Sequence, residues 1–576
     1  MKDQELQERE EVLVHDVGDT EFTNSGKEKK IKRLIIFAVI ILVIVAIVII
    51  IIYVTQSDDD KDNENEGEDV DDKKFKVLLN DSQFAKPKNF IKQYEFIQLK
   101  DSKYKFFLIH DPKTVTEGII IRTNFGYSTD IIDGFAHYAE HVFFEGTEEI
   151  NEFNISSLTS QYNEFSDAYT SIEETVFMFF GANNIFETIL DYISKFIQKP
   201  VLNSTKFRTE INAVTSEYDS RNNSGNNYFD ILLEYVNQEH GIADTISGHT
   251  GNNKTLGNYT NEKLSYYLKN YFLTIFKPEN CVFLLYSSKS LNKMRDYALK
   301  YYDFKLEEPK NEFKEEFNKK NKTLDYPLFK EGQLGKIAIF NSLREIPLLS
   351  IIFPISQKSK YVEAAQILYY FFNGYNEGSL RKFLLINNYV SEIDLYPDAY
   401  FKNYEIIEFM FHLTEKGKNN IDIIIEALFA SINAIKVDEN IEELLTNFYL
   451  IDQKEFQFKE ETKTIFPNDM DALLSNYAIF GKEYFLGNPI KELYTKKRFN
   501  EIFKDLSPEN TFIFIDSPEE ISSLYLTSKV KLYKKNFRTE YRINKISVDL
   551  LNNLKNISSI EDYNFILREK MKNIQN

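Results

Sequence analysis

The stretch Gly134-Phe135-Ala136-His137-Tyr138-Ala139-Glu140-His141-Val142-Phe143-Phe144-Glu145-Gly146-Thr147 decides how this chain is read. Asp133 is placed to cap a helix N-terminus and Gly146 to end it, so the residues between them are expected to form a short helix. On such a helix His137 and His141 are one turn apart, and Glu140 shares their side. Two imidazoles at that spacing can hold one Zn2+, and a carboxylate beside them can take a proton from a metal-bound water. A zinc ion with two histidines still needs a third protein ligand from elsewhere.

Working outward, the expected helix Ser204 to Arg221 offers two candidates, Glu210 and Glu217. Seven residues apart, they share a face, with Ala213 and Val214 between them, and they flank an apolar strip where solvation alone would not place acids.

These residues carry a family resemblance. His137-Tyr138-Ala139-Glu140-His141, with Glu217 downstream in Glu210-Ile211-Asn212-Ala213-Val214-Thr215-Ser216-Glu217, resembles the zinc site of the insulin-degrading enzyme and pitrilysin family, inverzincins whose H-x-x-E-H reverses the commoner H-E-x-x-H order. Phe144-Glu145-Gly146-Thr147, Ser166-Asp167-Ala168-Tyr169-Thr170-Ser171 and Gly378-Ser379-Leu380 extend the match over roughly residues 75–545. The resemblance implies one zinc per chain, bound by His137, His141 and Glu217, with Glu140 as general base and Glu210 orienting a ligand. It implies a peptide substrate added to the edge strand that holds Asp167 and Ala168, with Gly378 near the site that anchors a peptide's end. Asp167 departs from the family's usual Asn, which points to basic residues near the cleavage point. The family's longer members have a second half, so the resemblance implies a partner here, either a separate half-chain subunit or a second copy. A non-catalytic, peptide-binding half-subunit is the alternative expectation.

The fold expected is α+β: two homologous layered domains, each an antiparallel-rich sheet covered by helices, preceded by one transmembrane helix. In the first domain, 75–302, strands are expected over Tyr94 to Leu99, Lys105 to Ile109, Gly118 to Thr123, Thr175 to Phe180 and Cys281 to Tyr286. Helices are expected at Asn154 to Tyr162, Ile185 to Ile197, Glu262 to Tyr271 and Leu291 to Tyr301. Residues 303–327 are charge-rich and read as a linker, 328–520 as a second, non-catalytic copy ending in strand Thr511 to Ile515, and 521–576 as an extension resembling an inter-half connector. Pro-Glu-Asn precedes the last strand of each copy, at Pro278 and Pro508.

Residues 1–33 read as a cytosolic tail. Leu34 to Val54 holds no charge, Gly or Pro; at about 1.5 Å per residue it covers about 30 Å, the thickness of a bilayer core. Basic residues stand before this span and acids after it, so the positive-inside rule predicts a single-pass type II anchor with the later domains lumenal or extracellular. Eight Asn-x-Ser/Thr triplets downstream agree with that side. The net charge of -20 owes much to the expected stalk, 55–74, whose residues 57–72 hold ten acids and one lysine. In the remaining ectodomain Lys and Arg form no dense cluster, which argues against a nucleic-acid partner. The single Cys281 excludes an intramolecular disulfide, and His110, His240, His249 and His412 lack ligand spacing.

Overall fold

In strands β3 (Lys105–His110), β6 (Thr175–Ala182) and β7 (Cys281–Ser287) the apolar residues are continuous rather than alternating. A sheet covered on both faces demands that pattern, and the computed structural model has such a sheet. It describes residues 74–565 apart from short breaks, the longest at 146–164 and 245–254. The tail, the apolar span Leu34 to Val54, the acidic stretch 57–72 and the helix expected at Asn154 to Tyr162 lie outside the described residues. Among the described residues no helix is long and apolar enough to cross a membrane.

The first sheet adds β1 (Phe75–Leu79), β2 (Gln93–Leu99), β4 (Thr116–Thr123) and β5 (Phe165–Thr170), in the order β1-β2-β3-β7-β4-β6-β5. Its strands pair antiparallel except β3 with β7. The second sheet comprises β8 (Lys336–Phe340), β9 (Leu348–Ser356), β10 (Val390–Phe401), β11 (Tyr404–Leu413), β12 (Phe512–Asp516), β13 (Leu532–Lys534) and β14 (Thr539–Lys545). Read as β13-β14-β8-β12-β9-β11-β10, it repeats the first strand for strand, with β8 and β12 as its parallel pair. The α+β pair of layered domains is therefore present.

Two expectations change. The strand at Phe512–Asp516 does not close the second sheet: β13 and β14 follow it, and β14 pairs with β8. Residues 532–545 belong to that sheet, although their charged, weakly alternating sequence hides it. The connection 303–327 carries a helix, Asn311–Lys322, whose Phe313 and Phe317 are buried in the first core. That i,i+4 pair is a single apolar contact point among ten other, mostly charged, residues.

Helices α1 (Phe135–Phe143), α2 (Phe186–Gln198), α3 (Phe207–Asn222), α4 (Asn261–Ile275) and α5 (Leu291–Tyr302) belong to the first unit. Their apolar faces pack on the front of its sheet, with Phe143, Phe196 and Phe272 at the centre. The second unit builds its own front core with α6 (Ala364–Phe372), α7 (Ile421–Lys436) and α8 (Ile441–Phe458). The backs of the sheets are covered reciprocally. Met470 and Leu474 of α9 (Pro467–Phe480), with Phe485 and Leu486 after it, cover the first sheet's back, where Phe485 stacks on Phe107 at 4.0 Å. Ile231, Leu232, Val236 and Ile242 of the first unit cover Phe340, Ile352 and Phe514 of the second sheet.

Candidate metal centre and active site

Helix α1 starts where the sequence turns left-handed: Gly134 is the N-cap residue, with φ of 77°. The cap expected from Asp133 is supplied instead by Asp130, whose Oδ1 accepts the Ala136 N–H at 2.8 Å. A carboxylate several residues upstream reaches back because the glycine folds the chain over it. Gly146 lies outside the described residues. Eight of the nine residues of α1, all but His141, are buried, Glu140 and His137 among them, so the helix is held on almost every side.

Helix α3 buries Phe207, Ile211, Val214 and Tyr218 on one face. That face sets Glu210 and Glu217 against α1, as their spacing requires. Of the two small residues between them, Val214 is buried and Ala213 is exposed.

The side chains converge. Glu217 Oε2 lies 3.5 Å from His137 Nε2 and 3.4 Å from His141 Nε2. Zinc bonds of about 2.0–2.1 Å in a tetrahedron separate the ligand atoms by about 3.3–3.4 Å. The observed spacings therefore fit a zinc ion held by His137, His141 and Glu217. Glu210 Oε2 lies 3.4 Å from His141 Nδ1, on the far side of the ring, where it fixes the tautomer and aims Nε2 inward. Burial alone would lower the His141 pKa, but hydrogen bonds to Glu210 and Glu217 raise it to about 9. Carboxylates outnumber cations here, an imbalance that a divalent ion corrects.

Glu140 is buried beside the two histidines, and groups of all three approach within 4.8 Å of one another. Burial, opposed by the Thr170 hydroxyl and by His141, raises its pKa to about 7. Thr170 Oγ1 donates to Glu140 Oε2 at 2.6 Å. Sequence reasoning missed Thr170 as a contact of the base; only the pairing of β5 with β6 brings residues 30 apart together.

A cleft of about 1160 Å³, part of it open to solvent, is lined by His137, Glu140, His141, Glu210, Glu217 and residues 166–170 of β5. Asp167 and Ala168 thus stand at the site, and Asp167 Oδ1 accepts the Ala168 N–H at 2.9 Å. Gly378 does not line this cleft; it sits in the second unit with φ of 81°, just before the N-cap Ser379. The remaining described histidines have structural partners: His110 Nδ1 lies 2.8 Å from the Lys289 carbonyl, His240 Nδ1 accepts the Ile242 N–H, and His412 pairs with Asp394 at 3.0 Å. Glu392 joins the last pair in a half-exposed group on the β10–β11 hairpin. Cys281 is a buried core thiol.

Comparison with known proteins places this geometry. An insulin-degrading enzyme homolog of Dictyostelium discoideum is 25% identical over 445 residues, 73% of this chain and 42% of that protein. The chain thus spans under half the length of that relative. The crystal structure of pitrilysin superposes with a TM-score of 0.70 at 18% identity, covering 86% of this chain and 51% of pitrilysin. A protease from Helicobacter pylori superposes with a TM-score of 0.54 at 14% identity, over 74% of this chain and 100% of its own. Residues 105–249 match the family described as Insulinase (Peptidase family M16). The segment that carries His137, Glu140, His141, Glu210 and Glu217 is thus an insulinase-family segment, the family its motifs resemble.

Proposed function

We propose that this protein is a zinc endopeptidase that hydrolyses short or unfolded peptides. The observation that carries the reading is the convergence of His137, His141 and Glu217 at zinc-ligand spacing with buried Glu140 beside them. Zinc bound there supplies a positive charge that polarises a carbonyl and acidifies a coordinated water. Glu140 is the general base. Thr170 engages one of its oxygens, and the other takes a proton and hands it to the departing amine. Strand β5 ends the sheet, so its outer backbone edge can accept an extended peptide as an added strand, reading main chain more than side chains. Asp167 on that strand would favour basic residues near the cut.

Glu140→Gln in the solubilised full chain tests the reading. Zinc content should stay at one per chain, while hydrolysis of a quenched peptide falls by about 10²–10⁴-fold. Turnover at the parent rate would end it.

The reading includes a type II membrane anchor at Leu34 to Val54 with the peptidase on the lumenal or extracellular side, which rests on the sequence alone. Glycosidase-sensitive mass shifts and resistance to external protease in sealed microsomes test it. A partner-dependent, peptide-binding scaffold is the second reading. Sedimentation of the solubilised protein, with activity measured across the fractions, separates them: activity confined to a monomer excludes the need for a second copy or subunit.

A further inference from the structure

We propose that Asp471, on helix α9 of the second unit, is a positioning residue for the site of the first, acting through Tyr169 and Arg122 on edge strand β5. The inference rests on the peptidase reading above. Strand β5 is last in its sheet, so a single ladder, to β6, holds it. A strand bound on one side drifts unless something else fixes it.

Consecutive residues of a strand face opposite ways. Thr170 therefore reaches the front, where its hydroxyl meets Glu140, and Tyr169 reaches the back. There Tyr169 Oη donates to Asp471 Oδ2 at 2.9 Å and lies 3.3 Å from Glu174 Oε1. The contact is part of a closed group. Arg122 of β4, only 6% exposed, pairs with Glu174 in the β5–β6 turn. Its Nη1 donates to Ser475 Oγ at 2.8 Å and lies 3.7 Å from Asp471 Oδ1. Asp471 and Ser475 are one turn apart on α9, so both face the same guanidinium. An arginine cannot shed its charge when buried, so its acidic partners must stay with it. One helix of the second unit thereby grips the residue next to the one that touches the general base.

Three variants of the full chain test this: Tyr169→Phe, which removes only the hydroxyl; Asp471→Ala; and Asp471→Asn, which keeps an acceptor for Tyr169. Tyr169→Phe and Asp471→Ala should each lower kcat by about tenfold, with KM within about threefold and zinc content unchanged. The double variant should be no slower than Asp471→Ala, and Asp471→Asn should recover to within about threefold of the parent. A kcat within about twofold of the parent for Tyr169→Phe, or effects that multiply in the double variant, would overturn the proposal. Amide hydrogen exchange of residues 165–170 gives a readout free of turnover. It should quicken in Tyr169→Phe and Asp471→Ala, and unchanged exchange overturns the proposal. Should the parent hydrolyse no peptide while exchange responds, the peptidase reading fails and the grip on β5 stands.

Discussion

The two sheets follow one strand plan but complete it from opposite ends of the chain. In the first, the edge pair β1 and β2 comes before the parallel strand β3; in the second, the matching pair β13 and β14 comes after every other strand of its sheet. The helix that follows the fifth sheet position is also shared. Helix α1 lies between β4 and β5, and α6 between β9 and β10. Aligning Phe144-Glu145-Gly146 with Phe372-Asn373-Gly374 puts Ala365, Leu368 and Tyr369 where His137, Glu140 and His141 stand. Both helices start on a buried carboxylate. Asp130 accepts from Ala136 in one, and Glu405 accepts from Ala364 and Ala365 in the other. The frame, down to its capping device, is thus indifferent to the chemistry it carries, which lies in a few side chains and in the acids α3 brings to them.

The comparison can be broken most decisively at its matched helices. Glu140→Gln should abolish peptide hydrolysis, whereas Tyr369→Phe at the matching face of α6, half exposed in its own unit, should leave turnover within about twofold. Equal losses from both would mean that the second helix works in the reaction. Next, Glu210→Gln should weaken zinc binding by about 10–100-fold in a competition titration while the fold persists, because the His141 ring loses its orienting carboxylate. Unchanged affinity would reduce Glu210 to a surface acid. At the reciprocal cover, Leu474→Ala should cost about 2–5 kcal/mol in denaturant unfolding, since the residue is fully buried against the first sheet. A loss confined to signals from the second unit would show that the two unfold separately.

The smallest effect concerns Glu405, whose pKa burial raises from 4.5 to about 7, against the lowering influence of the Ala364 and Ala365 N–H groups. Between these values the folded chain holds a proton that the unfolded chain has released. Stability from this group is therefore full below about 4.5 and is lost as pH rises towards 7, with a slope of at most about 1.4 kcal/mol per pH unit. Glu405→Gln should flatten that slope in unfolding curves taken from pH 5 to 7; an unchanged slope would assign it to other groups.

Local pattern made much of this legible in advance. The helix of His137 and His141 follows from spacing, and Glu210 and Glu217 from their odd position beside an apolar strip. The central strands of both sheets announce themselves by unbroken apolar runs. What stayed hidden was set by distance along the chain or by weak local signal. Thr170 meets Glu140 only after β5 pairs, and Asp471 meets Tyr169 only after α9 crosses to the other sheet. Asp130 displaced the nearer Asp133 as cap because Gly134 turns the chain back. Strand β14, Thr-Glu-Tyr-Arg-Ile-Asn-Lys, is mostly polar and resembles a surface loop until β8 claims it.

The reciprocal cover also sets an order of events during synthesis. The strands of the first sheet are complete when residue 287 leaves the ribosome, yet Phe107, Ile120, Met178 and Leu284 on its back gain the cover of Met470, Leu474, Phe485 and Leu486 only when residues 470–486 follow. For that interval a nascent chain presents a broad aromatic and aliphatic surface to its surroundings, a state prone to association with other chains. A holding chaperone, or slow passage through a translocation channel, would meet its greatest demand in that window, well after the chemistry-bearing helices have been made.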